Sequence, residues 1–175
     1  MSFVWLALMV ARADPTPAVA EPADTSLPTP FTAEQIRQAM PVGLVIDWCP
    51  VMEGETGVAQ RWAVTAVDTT HVTLRQTLRV IGDERVVSDD LRRFAFVELR
   101  SHAEFPKQSA RREHRQVDAK VGAGPGWHYV VTEGPGTERH YTFLDRFPGA
   151  PVKVALWVEG VEQPDPMEQC GRVAP

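Results

Sequence analysis

The stretch HVTLRQTLRVIG, from His71 to Gly82, sets Val72, Leu74, Leu78 and Val80 against His71, Thr73, Arg75, Thr77 and Arg79. Side chains alternate between two faces only in an extended strand, so a period of two marks a strand with one buried face. The same period recurs along most of the chain. VGLVIDWC puts Val42, Leu44, Ile46 and Trp48 on one face, and RWAVTAV does so with Trp62, Val64 and Ala66. RRFAFVEL contributes Phe94 and Phe96, while KVALWVEG carries apolar groups on both faces. Turn chemistry separates these runs at Asp68-Thr69-Thr70, Gly82-Asp83-Glu84 and Gly122 to Gly126. The pattern predicts a mainly β (α+β) domain: a curved antiparallel sheet or half-barrel of about seven or eight strands.

One segment departs from that period. In FTAEQIRQAM, Thr32 can cap a helix, Gln35 completes the capping box, Ile36 and Met40 share a face, and Pro41 stops it. A single N-terminal helix is therefore expected. VELRSHAEFP, between Phe96 and Pro106, can add one helical turn. A chain of 175 residues fits one such domain with a single core.

Residues 31–175 carry this domain. Residues 14–30 are rich in proline and alanine and read as a stiff spacer. Residues 1–13 resemble an export signal: Phe3 to Ala11 is a nine-residue apolar run, too short to span a bilayer as a helix. Ala11-Arg12-Ala13 is a small-x-small cleavage pattern, with Ala18-Val19-Ala20 as a second, although no basic residue precedes Phe3. No cysteine follows the run, so a lipoprotein anchor is not supported there. A periplasmic or secreted location is expected, with no stable transmembrane segment.

A net charge of -5 argues against a nucleic-acid partner. The basic run KQSARREHR, Lys107 to Arg115, reads as a solvated face, with an anionic partner such as a lipid headgroup as the alternative. Cys49 and Cys170 lie near the two ends of the domain, too far apart for a CxxC redox or zinc motif. In an oxidising compartment they are expected to form a disulfide; otherwise Cys49 is a buried strand thiol and Cys170 lies in the tail.

The segment GWHYVVTEGPGTERHYTF contains two His-Tyr pairs around a Gly-Pro-Gly turn. A three-residue loop, Gly134-Pro135-Gly136, places Trp127, Tyr129 and Val131 on one face with Phe143, Tyr141 and Arg139. His128, Val130, Thr132, Glu138, His140 and Thr142 then take the other face. A four-residue loop mixes the two sets. In the first register Tyr129 faces Tyr141, and the two histidines are diagonal neighbours about 7–8 Å apart. They could hold a metal only with a third ligand, and Glu138 is the nearest carboxylate. No metal site, cofactor loop or hydrolase elbow is expected, since GxSxG, GxGxxG and HExxH are all missing. Glu98 and His102 are read as a local surface contact.

The segment RHYTFLDRFPGAPVKVALWVEG, Arg139 to Gly160, resembles a pattern of aromatic strand, then acidic-x-x-Pro-Gly-x-Pro-Val, then strand. That pattern, preceded by the VGAGPGWHYVV strand, is similar to periplasmic proteins of the LolA/LolB type, the lipoprotein-carrier half-barrels, and their relatives. The resemblance implies a curved sheet whose apolar concave face shelters a lipid or hydrophobic segment. Trp48, Trp62, Phe94, Phe96, Trp127, Tyr129, Tyr141 and Phe143 would supply that face, or would simply pack as core. The expected function is a non-enzymatic envelope protein that binds an apolar ligand or another envelope protein. The alternative class is a hydrolase or metal-dependent enzyme built on His128, His140 and Glu138.

Overall fold

A computed structural model describes residues 25–50, 58–81, 85–163 and 167–175. The signal-like segment, residues 14–24 of the spacer and the Gly82-Asp83-Glu84 turn lie outside the described residues. The strands are β1 (Val45–Pro50), β2 (Val58–Val67), β3 (His71–Val80), β4 (Val86–Ala95), β5 (Ala110–Val117), β6 (Gly124–Gly134), β7 (Thr137–Leu144), β8 (Lys153–Val158), β9 (Val161–Glu162) and β10 (Met167–Val173). They form a ten-stranded sheet in the order β4-β3-β2-β1-β10-β8-β7-β6-β5, with β9 beside β8. Every pairing is antiparallel. Two short helices, α1 (Ala33–Gln38) and α2 (Phe96–Ser101), complete the fold.

The architecture is the mainly β, antiparallel one that the alternation implies, with more strands than the seven or eight expected and a second helix. The chain leaves the β period at Phe96, which starts α2 instead of continuing a strand with Phe94. Glu98 accounts for that switch: its carboxylate accepts from the backbone N–H of Ala95, at the cap position. In α1 the reciprocal bonds of the capping box form, with Gln35 N–H donating to Thr32 Oγ1 and Thr32 N–H to Gln35 Oε1.

One face of the sheet holds the core. Leu44, Ile46 and Trp48 from the β1 segment, Val64 from β2, Val72 and Leu74 from β3, and Tyr129 and Phe143 from β6 and β7 pack with Phe31, Ile36 and Met40. α2 adds Phe96, and the loop after it adds Ala103 and Phe105. The sheet is strongly curved. Leu74 of β3 and Tyr141 of β7 line the same cavity, although five strand steps separate them in the order. In a flat sheet those five steps would hold them about 24 Å apart.

Residues 25–30, read from the sequence as the end of the spacer, lie against this core. Leu27 N–H donates to Phe105 C=O and Lys107 N–H to Thr25 C=O, and the fully buried Tyr129 donates its hydroxyl to Pro28 C=O at 2.6 Å.

The β6–β7 pairing sets Trp127 opposite Phe143, Tyr129 opposite Tyr141 and Val131 opposite Arg139. Those are the expected partners. The connection is tighter than a three-residue loop: Gly134 pairs with Thr137, Gly136 takes a φ of 67°, and a bulge beside Glu133 restores the register. Gly124 and Gly126, read as turn residues, lie inside β6.

Cys49 and Cys170 are joined in a disulfide between neighbouring strands β1 and β10, with Cα atoms 5.8 Å apart. Cys170 is the extra residue of a bulge, between Gln169 opposite Trp48 and Gly171 opposite Asp47. No described helix is long and apolar enough to cross a membrane.

Candidate ligand site on the apolar face of the sheet

The curl of the sheet leaves space between its core face and the helices. A cavity of about 150 Å³ is bounded by Trp62, Leu74, Tyr141 and Phe143 from the strands. Met40 after α1, Leu99 of α2, His102 and Ala103 after it, and Gly149 to Pro151 close the other sides. Its lining is mainly apolar. A recess of about 400 Å³ adjoins it, lined by Trp48, Gln60, Trp62, Arg139, Pro151, Val154, Leu156 and Met167. The two spaces share Trp62 and Pro151 in their walls.

Trp48 and Trp62 stand side by side, ring centroids 5.4 Å apart and planes tilted by 54°. Cross-strand neighbours on the inner faces of β1 and β2 come this close because antiparallel strands stack same-face side chains laterally. The Nε1–H groups of both indoles are buried and have no hydrogen-bond partner among the described residues. An unmet buried donor costs about 1–3 kcal/mol. Arg139 provides the recess with a cation and is tied to Glu133 by two hydrogen bonds of 2.6 and 3.0 Å.

The eight aromatic residues singled out in the sequence divide into two groups. Trp48, Trp62, Tyr141 and Phe143 line the cavity or the recess. Phe94, Phe96, Trp127 and Tyr129 pack in or against the core and line neither space. Trp127 sits towards the β5 edge, where the Arg112 guanidinium lies 4.5 Å over its ring and His114 packs at 4.7 Å. His102, Leu99 and Ala103 are lining residues that the strand pattern does not single out, because they belong to the α2 segment. The proline-glycine loop at Gly149 to Pro151 reaches the cavity as well. Its residues form part of the acidic-x-x-Pro-Gly-x-Pro-Val pattern, the one sequence signal that covers it.

His128, His140 and Glu138 lie on the opposite face, where His128 and His140, but not Glu138, line a polar trough of about 530 Å³ with Trp157 and Lys153. The two imidazoles are 5.1 Å apart edge to face, and His140 stacks on Trp157 at 4.9 Å. Glu138 is 3.3 Å from His140 Nε2, but it also accepts from Arg111 at 2.9 Å, which holds its carboxyl below the usual carboxylate range. Burial, helped by Arg115, His140, Arg111 and Lys153, pushes His128 down to about 4, so its ring is neutral at pH 7. Among the described residues no three His, Cys, Asp or Glu side chains are grouped to hold a metal.

The basic run at Lys107 to Arg115 belongs largely to β5, and several of its members are engaged within the chain. Arg111 bonds Glu138, Arg112 donates to Pro28 C=O at 2.9 Å, and His114 Nε2 lies 2.8 Å from Asp145. No protein-family model matches the chain, and neither a curated protein nor a solved structure matches it.

Proposed function

We infer that the chain is a non-enzymatic binding protein of the cell envelope whose half-barrel sheet shelters an apolar ligand, either a lipid chain or another protein's hydrophobic segment. The supporting observation is the mainly apolar cavity and the recess that shares Trp62 and Pro151 with it. Ligand sites are typically concave and mainly apolar, about 300–1,000 Å³ in volume, with a few polar groups that fix orientation. The recess has that character: Trp48, Trp62 and aliphatic side chains form its walls, and Gln60 and Arg139 are its polar members. An acyl chain with an ester or carboxylate head suits this chemistry. The chain would enter past Trp62, with its polar head beside Gln60 and Arg139.

The disulfide between Cys49 and Cys170 accords with an oxidising compartment, which supports a periplasmic or secreted setting. We extend the sequence resemblance to lipoprotein carriers to the ligand class. The test is mass spectrometry of gently purified protein under native and denaturing conditions. A co-purifying lipid at near-stoichiometric amount is the expected result; protein that carries none and takes up none from phospholipid vesicles would reject the reading.

A further inference from the structure

Strand β4 (Val86–Ala95) is one end of the sheet path, so one of its edges has no strand beside it among the described residues. It is ten residues long and strongly exposed, with Val87 57% and Leu91 67% accessible. Phe96 N–H donates to Thr70 C=O, one step beyond the His71–Ala95 pair. In an antiparallel ladder this phase turns the backbone groups of the even-numbered residues towards β3 and those of Asp89, Leu91 and Arg93 towards the open edge. A long exposed edge of this kind is a template for another strand.

Charged residues on an edge usually prevent such pairing. Here their order does the reverse. The sequence Asp89-Asp90-Leu91-Arg92-Arg93 is antisymmetric in charge about Leu91. An antiparallel copy centred on Leu91 sets Asp90 against Arg92 and Asp89 against Arg93, twice each by symmetry. A shift of one residue loses half of these pairs, a shift of two loses all of them, and a parallel copy opposes like charges. Leu91 meets its own copy at the axis, where its outward N–H and C=O can form the reciprocal bonds of a hydrogen-bonded pair. Within one chain Asp89 and Arg93 are also bonded to Arg75 and Asp68, so the charges are held in place before a partner arrives.

We propose that β4 is the docking edge for a second copy of this chain, paired antiparallel about a two-fold axis at Leu91. Sedimentation velocity of the full chain over about 1–200 µM tests it. The expected result is a monomer–dimer equilibrium that Asp90→Arg weakens about tenfold or more, since it opposes two arginines at each symmetric pair. The double variant Asp90→Arg, Arg92→Asp exchanges the signs and keeps them complementary, so it returns the dissociation constant to within about threefold of the parent. Circular dichroism confirms that each variant is folded. A monomer at every concentration, a dimer indifferent to Asp90→Arg, or a double variant as weak as the single would each overturn the proposal.

Discussion

Removing the disulfide should cost this protein a large share of its stability. The bridge joins residues 121 apart in sequence, and closing a loop of that length restricts the unfolded chain by about 5 kcal/mol on the chain-entropy model. Whole domains are typically stable by only about 5–15 kcal/mol. Its position adds to the effect. Strand β10 connects β1 to β8 in the middle of the sheet, but it pairs with β8 at only Met167–Val154 and Glu168–Lys153 among the described residues. The bridge fastens β10 to β1 beside that short ladder. The double variant Cys49→Ser, Cys170→Ser should therefore unfold about 10–20 °C lower than the parent, at about 2–4 °C per kcal/mol for a chain of this size. Each single variant should match the double, because either one removes the bridge. The assay is reversible thermal and urea unfolding of oxidised parent and variants. A loss under about 1 kcal/mol with an unchanged urea slope would refute the reasoning, since the unfolded chain would then gain little freedom from losing the bond.

Other perturbations should have separate signatures. His128 has its folded pKa lowered to about 4 from an ordinary 6.5, so the unfolded state binds the proton first. Stability should be fully present above about pH 6.5 and fall by about 1–2 kcal/mol towards pH 4 after allowance for partial exposure, a slope that His128→Gln reduces in urea titrations across pH. Gly126→Ala should destabilise by more than about 2 kcal/mol, because a Cβ there meets the Phe143 carbonyl oxygen and Val117, whereas Gly134→Ala, with open space around it, should be near neutral. Tyr129→Phe should cost about 0.5–1.5 kcal/mol in urea unfolding by removing the bond to Pro28, whose carbonyl keeps Arg112 as a donor.

The interior of the sheet is legible in the sequence because its strands have one wet and one dry face. β3 shows this best: Val72 and Leu74 are buried while Arg75 and Arg79 are exposed. The outer strands escape that reading, β5 wholly and β4 up to Arg92, for one physical reason. β5 carries ARREHRQV and is exposed along most of its length, so it reads as surface charge. The middle of β4, SDDLRR, has almost no buried side chain and therefore no alternation to detect. β10 is hidden differently, since Glu168 and Gln169 are buried polar residues held by specific bonds to Lys120 N–H and to Pro151 C=O. The candidate site was half visible. The aromatic side chains that line it alternate in strands, but which of them face space and which face other rings depends on the curl of the sheet and the placement of α2. No local pattern encodes either.

The central claim is that the space beside Trp62 holds an apolar ligand. The most direct measurement is a fluorescence titration with a dansyl-labelled fatty acid, excited through the protein's tryptophans, on the parent and on Ala103→Leu. Ala103 lines the cavity, and the larger side chain fills it without removing any wall. The account predicts saturable binding at about one ligand per chain, energy transfer to the dansyl group, and at least tenfold weaker binding for Ala103→Leu at an equal or higher melting temperature. Absence of saturable binding, or equal binding by the filled variant, would contradict it.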